Sequence, residues 1–190
     1  LVIEAVSEKL DLKISVFNEV ESHTPADTIL CSNTSAISIT EISQGLRHRG
    51  RFLGTHFWNP PHVLPCVEVI KGESTSEAVY ETVCELLKTV GKDPVRVLKD
   101  VPGFLGNRLQ HAMWREAVAM VEMGIAQPED IDKVVKNGFG LRCAFLGPLE
   151  TADLAGIDLS REVHAYLFPF LSSSHQPSPV SDEMCRENKL

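Results

Sequence analysis

Short apolar runs alternate with helix-period segments only as far as Asp100, and beyond it every segment with a clear period is helical. Strand candidates occupy residues 1–6, 28–31, 51–56, 67–70 and 95–98. Between them lie residues 7–22, whose apolar Leu10, Ile14, Phe17 and Val20 recur at helical spacing, a short helix ending near Gly45, and an amphipathic helix over 75–90 stopped by Gly91. Such an alternation folds as a sheet of βαβ units with helices on its faces. After Asp100 the apolar Leu105, Leu109, Met113, Ala117, Met120 and Val121 describe one long helix over 104–123, ended by Gly124. Pro128-Glu129-Asp130 opens another, with proline in the first turn and acids at the positive end of the dipole. Helical segments are also expected over 149–154 and 160–168. The pattern predicts an α/β unit over 1–100 followed by an all-α unit over 101–190.

Composition narrows the function. The 190 residues are 43% hydrophobic, ordinary for a globular chain. With 26 acidic against 18 basic residues the net charge is -8, which argues against broad binding to nucleic acid or to an anionic membrane. No apolar run approaches the roughly 20 residues that span a bilayer, and no charged-then-apolar leader opens the chain. Cys31, Cys66, Cys84, Cys143 and Cys185 show no metal-knuckle or redox spacing, so a reducing cytoplasm is expected. The stretch 172–179, rich in serine and proline, reads as an exposed loop. Because the chain begins at Leu1 without an initiator methionine, already inside a strand, it is expected to be a fragment.

The most informative segment is Gly54-Thr55-His56-Phe57-Trp58-Asn59-Pro60-Pro61, with Glu68 twelve positions after His56 in Pro65-Cys66-Val67-Glu68-Val69-Ile70. His56 ends a strand, where open α/β sheets place ligand-contacting groups. Glu68 is the only charge in an apolar strand and needs a partner. A carboxylate on a histidine fixes its tautomer, raises its basicity and stabilises the imidazolium. By spacing alone a structural hydrogen bond is as good a reading as a catalytic pair. His62 has no third ligand at metal-site spacing, so no metal is expected. His111 reads as a surface or packed helical histidine, and Gly138-Phe139-Gly140 follows a helix and lacks the third glycine of a dinucleotide fingerprint.

Ser32-Asn33-Thr34-Ser35 after one strand, His56-Phe57-Trp58-Asn59-Pro60 after another, the Glu68 strand, and Asp100-Val101-Pro102-Gly103-Phe104-Leu105-Gly106-Asn107-Arg108 opening the long helix together resemble the L-3-hydroxyacyl-CoA dehydrogenase family over the whole chain. The resemblance implies the later part of a Rossmann-like NAD-binding domain joined to a helical domain for substrate binding and homodimerisation. It further implies NAD as cofactor, an acyl-CoA substrate and reversible oxidation of an L-3-hydroxyacyl thioester. In it His56 is the general base, Glu68 its orienting partner, and Ser35 and Asn107 hydrogen-bond the substrate oxygen. Glu8, Lys13, Ser35 and Asn59 match cofactor-side positions. Bland readings stand beside these: Ser35 and Asn107 as helix-start residues, Glu8 and Lys13 as solvated helix residues.

Two departures matter. The glycine-rich turn and the acidic ribose ligand of a dinucleotide-binding half are absent from these residues, so the chain on its own is expected to bind NAD weakly. The family's helical domain is also expected to continue past Glu187-Asn188-Lys189-Leu190. Second, the segment 140–150, from Gly140 to Glu150, looks more like branches that act on free hydroxy acids, such as gulonate or carnitine dehydrogenases. Arg142 there suits a bidentate pair with a substrate carboxylate, or an ion pair with Glu150 or Asp153. Family members recruited as lens structural proteins make a non-catalytic assembly role a third reading.

Overall fold

The computed structural model describes residues 1–186; the segment Glu187-Asn188-Lys189-Leu190 lies outside the described residues. The chain divides into two units, Leu1–Leu109 and Gln110–Leu190.

The first unit is built on one five-stranded sheet whose strands lie side by side in chain order: β1 (Val2–Glu4), β2 (Leu30–Ser32), β3 (Phe52–Phe57), β4 (Cys66–Ile70) and β5 (Asp93–Val97). β1, β2 and β3 are mutually parallel, as are β4 and β5, and the two sets meet in an antiparallel β3–β4 pair. The reversal follows from chain length: residues 58–65 contain no helix and are too few for a parallel crossover, which takes about a dozen. α1 (Leu10–His23), the single turn α2 (Ile39–Ile42) and α3 (Glu77–Thr89) make the longer connections.

Both sheet faces are covered, so the strand interiors are apolar on each side. Leu30, Phe52, Ile70 and Val97 pack on Phe17, Ile39, Ile42 and Phe104. Their strand neighbours Cys31, Leu53, Val67 and Val69 pack on Tyr80, Val83, Cys84 and Leu87 of α3. Gly54 lets α2 approach β3, since a Cβ there would sit 2.6 Å from Cδ1 of Ile39. Helix starts follow local chemistry: the Ser38 hydroxyl accepts the Glu41 amide at α2 and Ser76 accepts that of Val79 at α3.

α4 (Gly106–Glu122) begins in the first unit and ends at Gly124, whose φ is 67°. The second unit continues with α5 (Pro128–Asn137), α6 (Phe139–Arg142), α7 (Pro148–Ala155), α8 (Ile157–Leu167) and α9 (Pro179–Arg186). α6 and α9 were not legible from periodicity: the first is a single turn, and the second starts at the last proline of the serine-proline stretch, the rest of which is irregular. Large apolar side chains of this unit are exposed, among them Phe145, Leu149 and Leu154. All five cysteines are free thiols, and burial pushes that of Cys31 up to about 12. Among the described residues no helix is long and apolar enough to cross a membrane.

Candidate active site

The antiparallel register places His56 directly opposite Glu68. Residues so paired project to the same face, and His56 Nδ1 lies 2.8 Å from Glu68 Oε2. Both side chains are buried, with 8% and 2% of their surface exposed. Glu68 receives donors from two sides, because its Oε1 accepts the backbone N–H groups of Leu105 at 2.9 Å and Gly106 at 3.0 Å. Gly103 and Phe104 make those amides available: both adopt positive φ, 73° and 48°, turning the chain so that successive N–H groups converge on the carboxylate. Phe104 holds this costly conformation with its ring fully buried, 5.9 Å from the imidazole. Burial works against the Glu68 anion, but the imidazole N–H and the two amides outweigh it and hold the carboxyl below the usual range. An ionised carboxylate only accepts, so His56 Nδ1 carries hydrogen, and the neutral imidazole so oriented has its lone pair on Nε2.

Asn107 follows immediately on α4, and its Nδ2 donates to the Ser35 carbonyl at 2.9 Å. The loop carrying Ser35 is shaped by Glu8, whose Oε1 accepts the Thr34 hydroxyl (2.6 Å) and the amides of Ser35 (2.9 Å) and Ala36 (3.1 Å). Burial raises the Glu8 pKa, yet these donors and Lys13 outweigh it and hold the carboxyl low. Lys13 lies beneath, its side chain 1% exposed, 2.8 Å from Glu4 Oε1 and 3.3 Å from Glu8 Oε2. Lys13 also donates a hydrogen bond to the Val6 carbonyl. The ammonium therefore supports Glu8 from inside the sheet edge instead of lying open on it.

Ser35 does not cap α2, since Ser38 does, and the Ser35 hydroxyl has no hydrogen-bond partner among the described residues. Asn59 is exposed beside Trp58 after β3. Arg142 is exposed at the end of α6 and, among the described residues, pairs with neither Glu150 nor Asp153; Glu150 turns back to the Gly147 amide at 2.6 Å. His111 stands edge-on to Trp114, 4.8 Å between centroids, and His62 is exposed. Among the described residues no three His, Cys, Asp or Glu side chains gather as a metal site.

Several supporting residues escaped the sequence reading. Glu4 is buried and bridges Lys13 to the Ser32 hydroxyl, 2.6 Å from its Oε2. The argument that singled out Glu68, one charge in an apolar strand, applied equally to Glu4. Asn33 accepts the Phe57 amide, tying the β2 loop to the end of β3, and Asp100 accepts the Ser38 hydroxyl (2.6 Å) and the Thr40 amide (2.8 Å). The Asp100 contacts join segments 60 or more positions apart and left no local signal.

β1, β2 and β3 thus end, at the same side of the sheet, in Glu4, Ser32 and Phe57, and the loops that follow carry Glu8, Ser35 and Asn59. Open α/β sheets take nucleotides and substrates at the carboxyl ends of their strands. The open hydroxyl of Ser35 and exposed amide of Asn59 fit a polar ligand such as NAD there. Residues 1–101 match the family model for the NAD binding domain of 3-hydroxyacyl-CoA dehydrogenase, and residues 103–190 that for its C-terminal domain. The chain is 39% identical over its full length to 62% of 5-formyl-3-hydroxy-2-methylpyridine 4-carboxylate 5-dehydrogenase of Mesorhizobium japonicum. It is 38% identical over its full length to 60% of the human mitochondrial hydroxyacyl-coenzyme A dehydrogenase. A crystal structure of 5-formyl-3-hydroxy-2-methylpyridine 4-carboxylic acid 5-dehydrogenase, described as an NAD+ dependent dismutase, superposes on all of the chain with a TM-score of 0.97 at 39% identity, over 61% of its own length. The chain accordingly spans about three fifths of these relatives. The chain belongs to the 3-hydroxyacyl-CoA dehydrogenase family.

Proposed function

We propose that the complete protein oxidises a hydroxyl-bearing carbon to a carbonyl, and the reverse, with His56 taking and returning the hydroxyl proton at Nε2. The observation that carries this is the buried His56–Glu68 pair, whose carboxylate is anchored by the first turn of α4, one residue before Asn107. NAD, when bound, supplies the hydride acceptor. Glu68 keeps Nδ1 protonated, so that Nε2 is the base, and its negative charge offsets the imidazolium that forms. Asn107, steered by the Ser35 carbonyl, retains a second N–H, which with the Ser35 hydroxyl would stabilise the oxygen that gains charge during ketone reduction. Glu8 and Lys13 hold the Ser35 loop, and Ser35 and Asn59 would meet the cofactor. Changing His56 to glutamine in the full-length protein should lower kcat by about 10²–10⁴-fold, the usual worth of a general base; wild-type turnover would refute the role.

For the substrate, the family supports an L-3-hydroxyacyl-CoA thioester. A second reading, a free hydroxy or aldehyde carboxylate, draws on the Arg142 guanidinium, exposed and without an ion pair among the described residues, and on the similarity to a pyridine carboxylate enzyme. Acetoacetyl-CoA, 3-dehydrocarnitine and 3-dehydro-L-gulonate assayed in parallel with NADH separate the two. Under the second, Arg142→Ala raises KM for the free acids alone; an unchanged KM removes Arg142 from the site. A homodimer through the helical unit accords with its exposed Phe145, Leu149 and Leu154.

A further inference from the structure

Resting on the reading of His56 as the base, we propose that Trp58 is a positioning residue: wedged against Gly106, its indole fixes the separation between the His56 imidazole and the α4 turn that carries Asn107. The indole lies 5.4 Å from the imidazole, centroid to centroid, at 57°. Its far edge rests on the α4 backbone so closely that a Cβ on Gly106 would sit 2.1 Å from Cζ2, 2.9 Å from Cη2 and 3.0 Å from Cε2. No side chain fits in that space. Gly106 has no conformational reason to be glycine, since its φ is not positive and it opens a helix, where alanine is intrinsically favoured. The space the indole needs accounts for it.

Contacts close a ring of four residues. Trp58 touches His56 and Gly106, the Gly106 amide binds Glu68, and Glu68 binds His56. Moving any member moves the base relative to Asn107. Phe104 backs the imidazole from a second side, so the ring has two aromatic walls, of which Trp58 is the half-buried one. Proton transfer between groups fixed in this way loses on the order of 100-fold for an ångström of misplacement.

The test uses the full-length protein. Gly106→Ala forces the indole aside and should lower kcat on the order of 100-fold with KM little changed. Trp58→Phe, which removes the atoms in collision, should cost less, and the double variant Trp58→Phe/Gly106→Ala should recover most of the loss. Wild-type kcat in Gly106→Ala, or a loss the double variant does not relieve, overturns the proposal. Should Gly106→Ala fail to fold, fluorescence decides. With every tryptophan but Trp58 replaced by phenylalanine, Trp114→Phe among them, emission should fall as His56 is protonated, and His56→Gln should abolish that pH dependence. Emission indifferent to His56 overturns the contact itself. Full turnover by His56→Gln, with the emission coupling present in the parent and lost in that variant, instead overturns the base assignment, and the positioning role with it.

Discussion

Replacing Glu68 by glutamine probes the tautomer of the base and leaves its packing nearly unchanged. Oε1 of Glu68 satisfies two part-buried amides, Leu105 and Gly106, and an N–H left without an acceptor there costs up to about 1–3 kcal/mol. A glutamine therefore turns its carbonyl oxygen to those amides and its NH₂ to His56 Nδ1, 2.8 Å away in the parent. A donor facing Nδ1 selects the tautomer with hydrogen on Nε2, which cannot accept the substrate proton. A carboxylate-to-amide change that traps the wrong tautomer elsewhere lowers kcat by about 10⁴, equivalent to roughly 5 kcal/mol of barrier. Glu68→Gln should thus lose about 10³–10⁴-fold in kcat, while thermal unfolding stays within a few degrees of the parent, both amide contacts being retained. Glu68→Ala should behave differently, losing up to about 2–6 kcal/mol of stability by stranding both amides. Steady-state kinetics with NADH and calorimetry on the same samples decide. A Glu68→Gln variant within tenfold of wild-type kcat, or one as unstable as Glu68→Ala, refutes the reasoning.

Lys13→Met leaves the Glu4 carboxylate buried without its cation and should cost about 3–5 kcal/mol in urea unfolding, whereas Glu4→Gln/Lys13→Met should recover much of that; equal losses in the two would show the pair to be dispensable. Acid stability follows from carboxyls held low. The folded-state pKa values of Glu8, of Glu68 and of Glu21, which accepts the Arg47 and His48 amides and the Arg51 guanidinium against the cost of its burial, lie below their unfolded value of 4.5, so their contribution is complete above about pH 4.5 and is lost as pH falls through the folded values. The melting temperature should be flat through these titrations from pH 6 to 5 and fall below 4.5, less steeply in Glu68→Gln, which lacks one of the three groups. A melting curve that improves below pH 4.5 would reverse the sign of the argument.

Period and punctuation made the strands, the helices and the change of style near Asp100 legible, because β-α-β order, glycine stops and proline starts are local signals. The His56–Glu68 pair was legible for a different reason. A lone carboxylate in an apolar strand announces a missing partner, and a histidine at the end of the preceding strand could supply it. Glu4 made the same announcement, with Lys13 nine positions on, but the helix holding Lys13 also offered the bland reading of a solvated face. What stayed hidden was long-range. Nothing local in Leu105 or Gly106 reveals that their amides serve Glu68, 37 and 38 positions earlier, and nothing in Gly106 reveals an indole. Backbone donors carry no sequence identity, so a carboxylate they satisfy looks unsatisfied in the sequence.

The reversal of strand direction between β3 and β4 gives this arrangement its economy. In a parallel pair a crossover helix would separate the base from its carboxylate by dozens of residues, and each would answer to a different packing environment. Here an irregular connection over 58–65 sets them face to face, with Trp58 as its first residue and Glu68 in the middle of a buried strand. The same carboxylate then receives α4, so the helix that delivers Asn107 is registered against the base through the side chains of Glu68 and Trp58 and not through the sheet as a whole. His56, Glu68, Asn107 and Ser35 all lie within Leu1–Leu109. Under the proposed roles proton chemistry is set by the first unit, which leaves the identity of the carbon skeleton to residues outside this constellation. A single proton-transfer geometry can on that basis serve both thioester and carboxylate substrates, and substitutions that exchange one substrate class for the other should alter KM ratios while leaving the pH dependence of kcat unchanged.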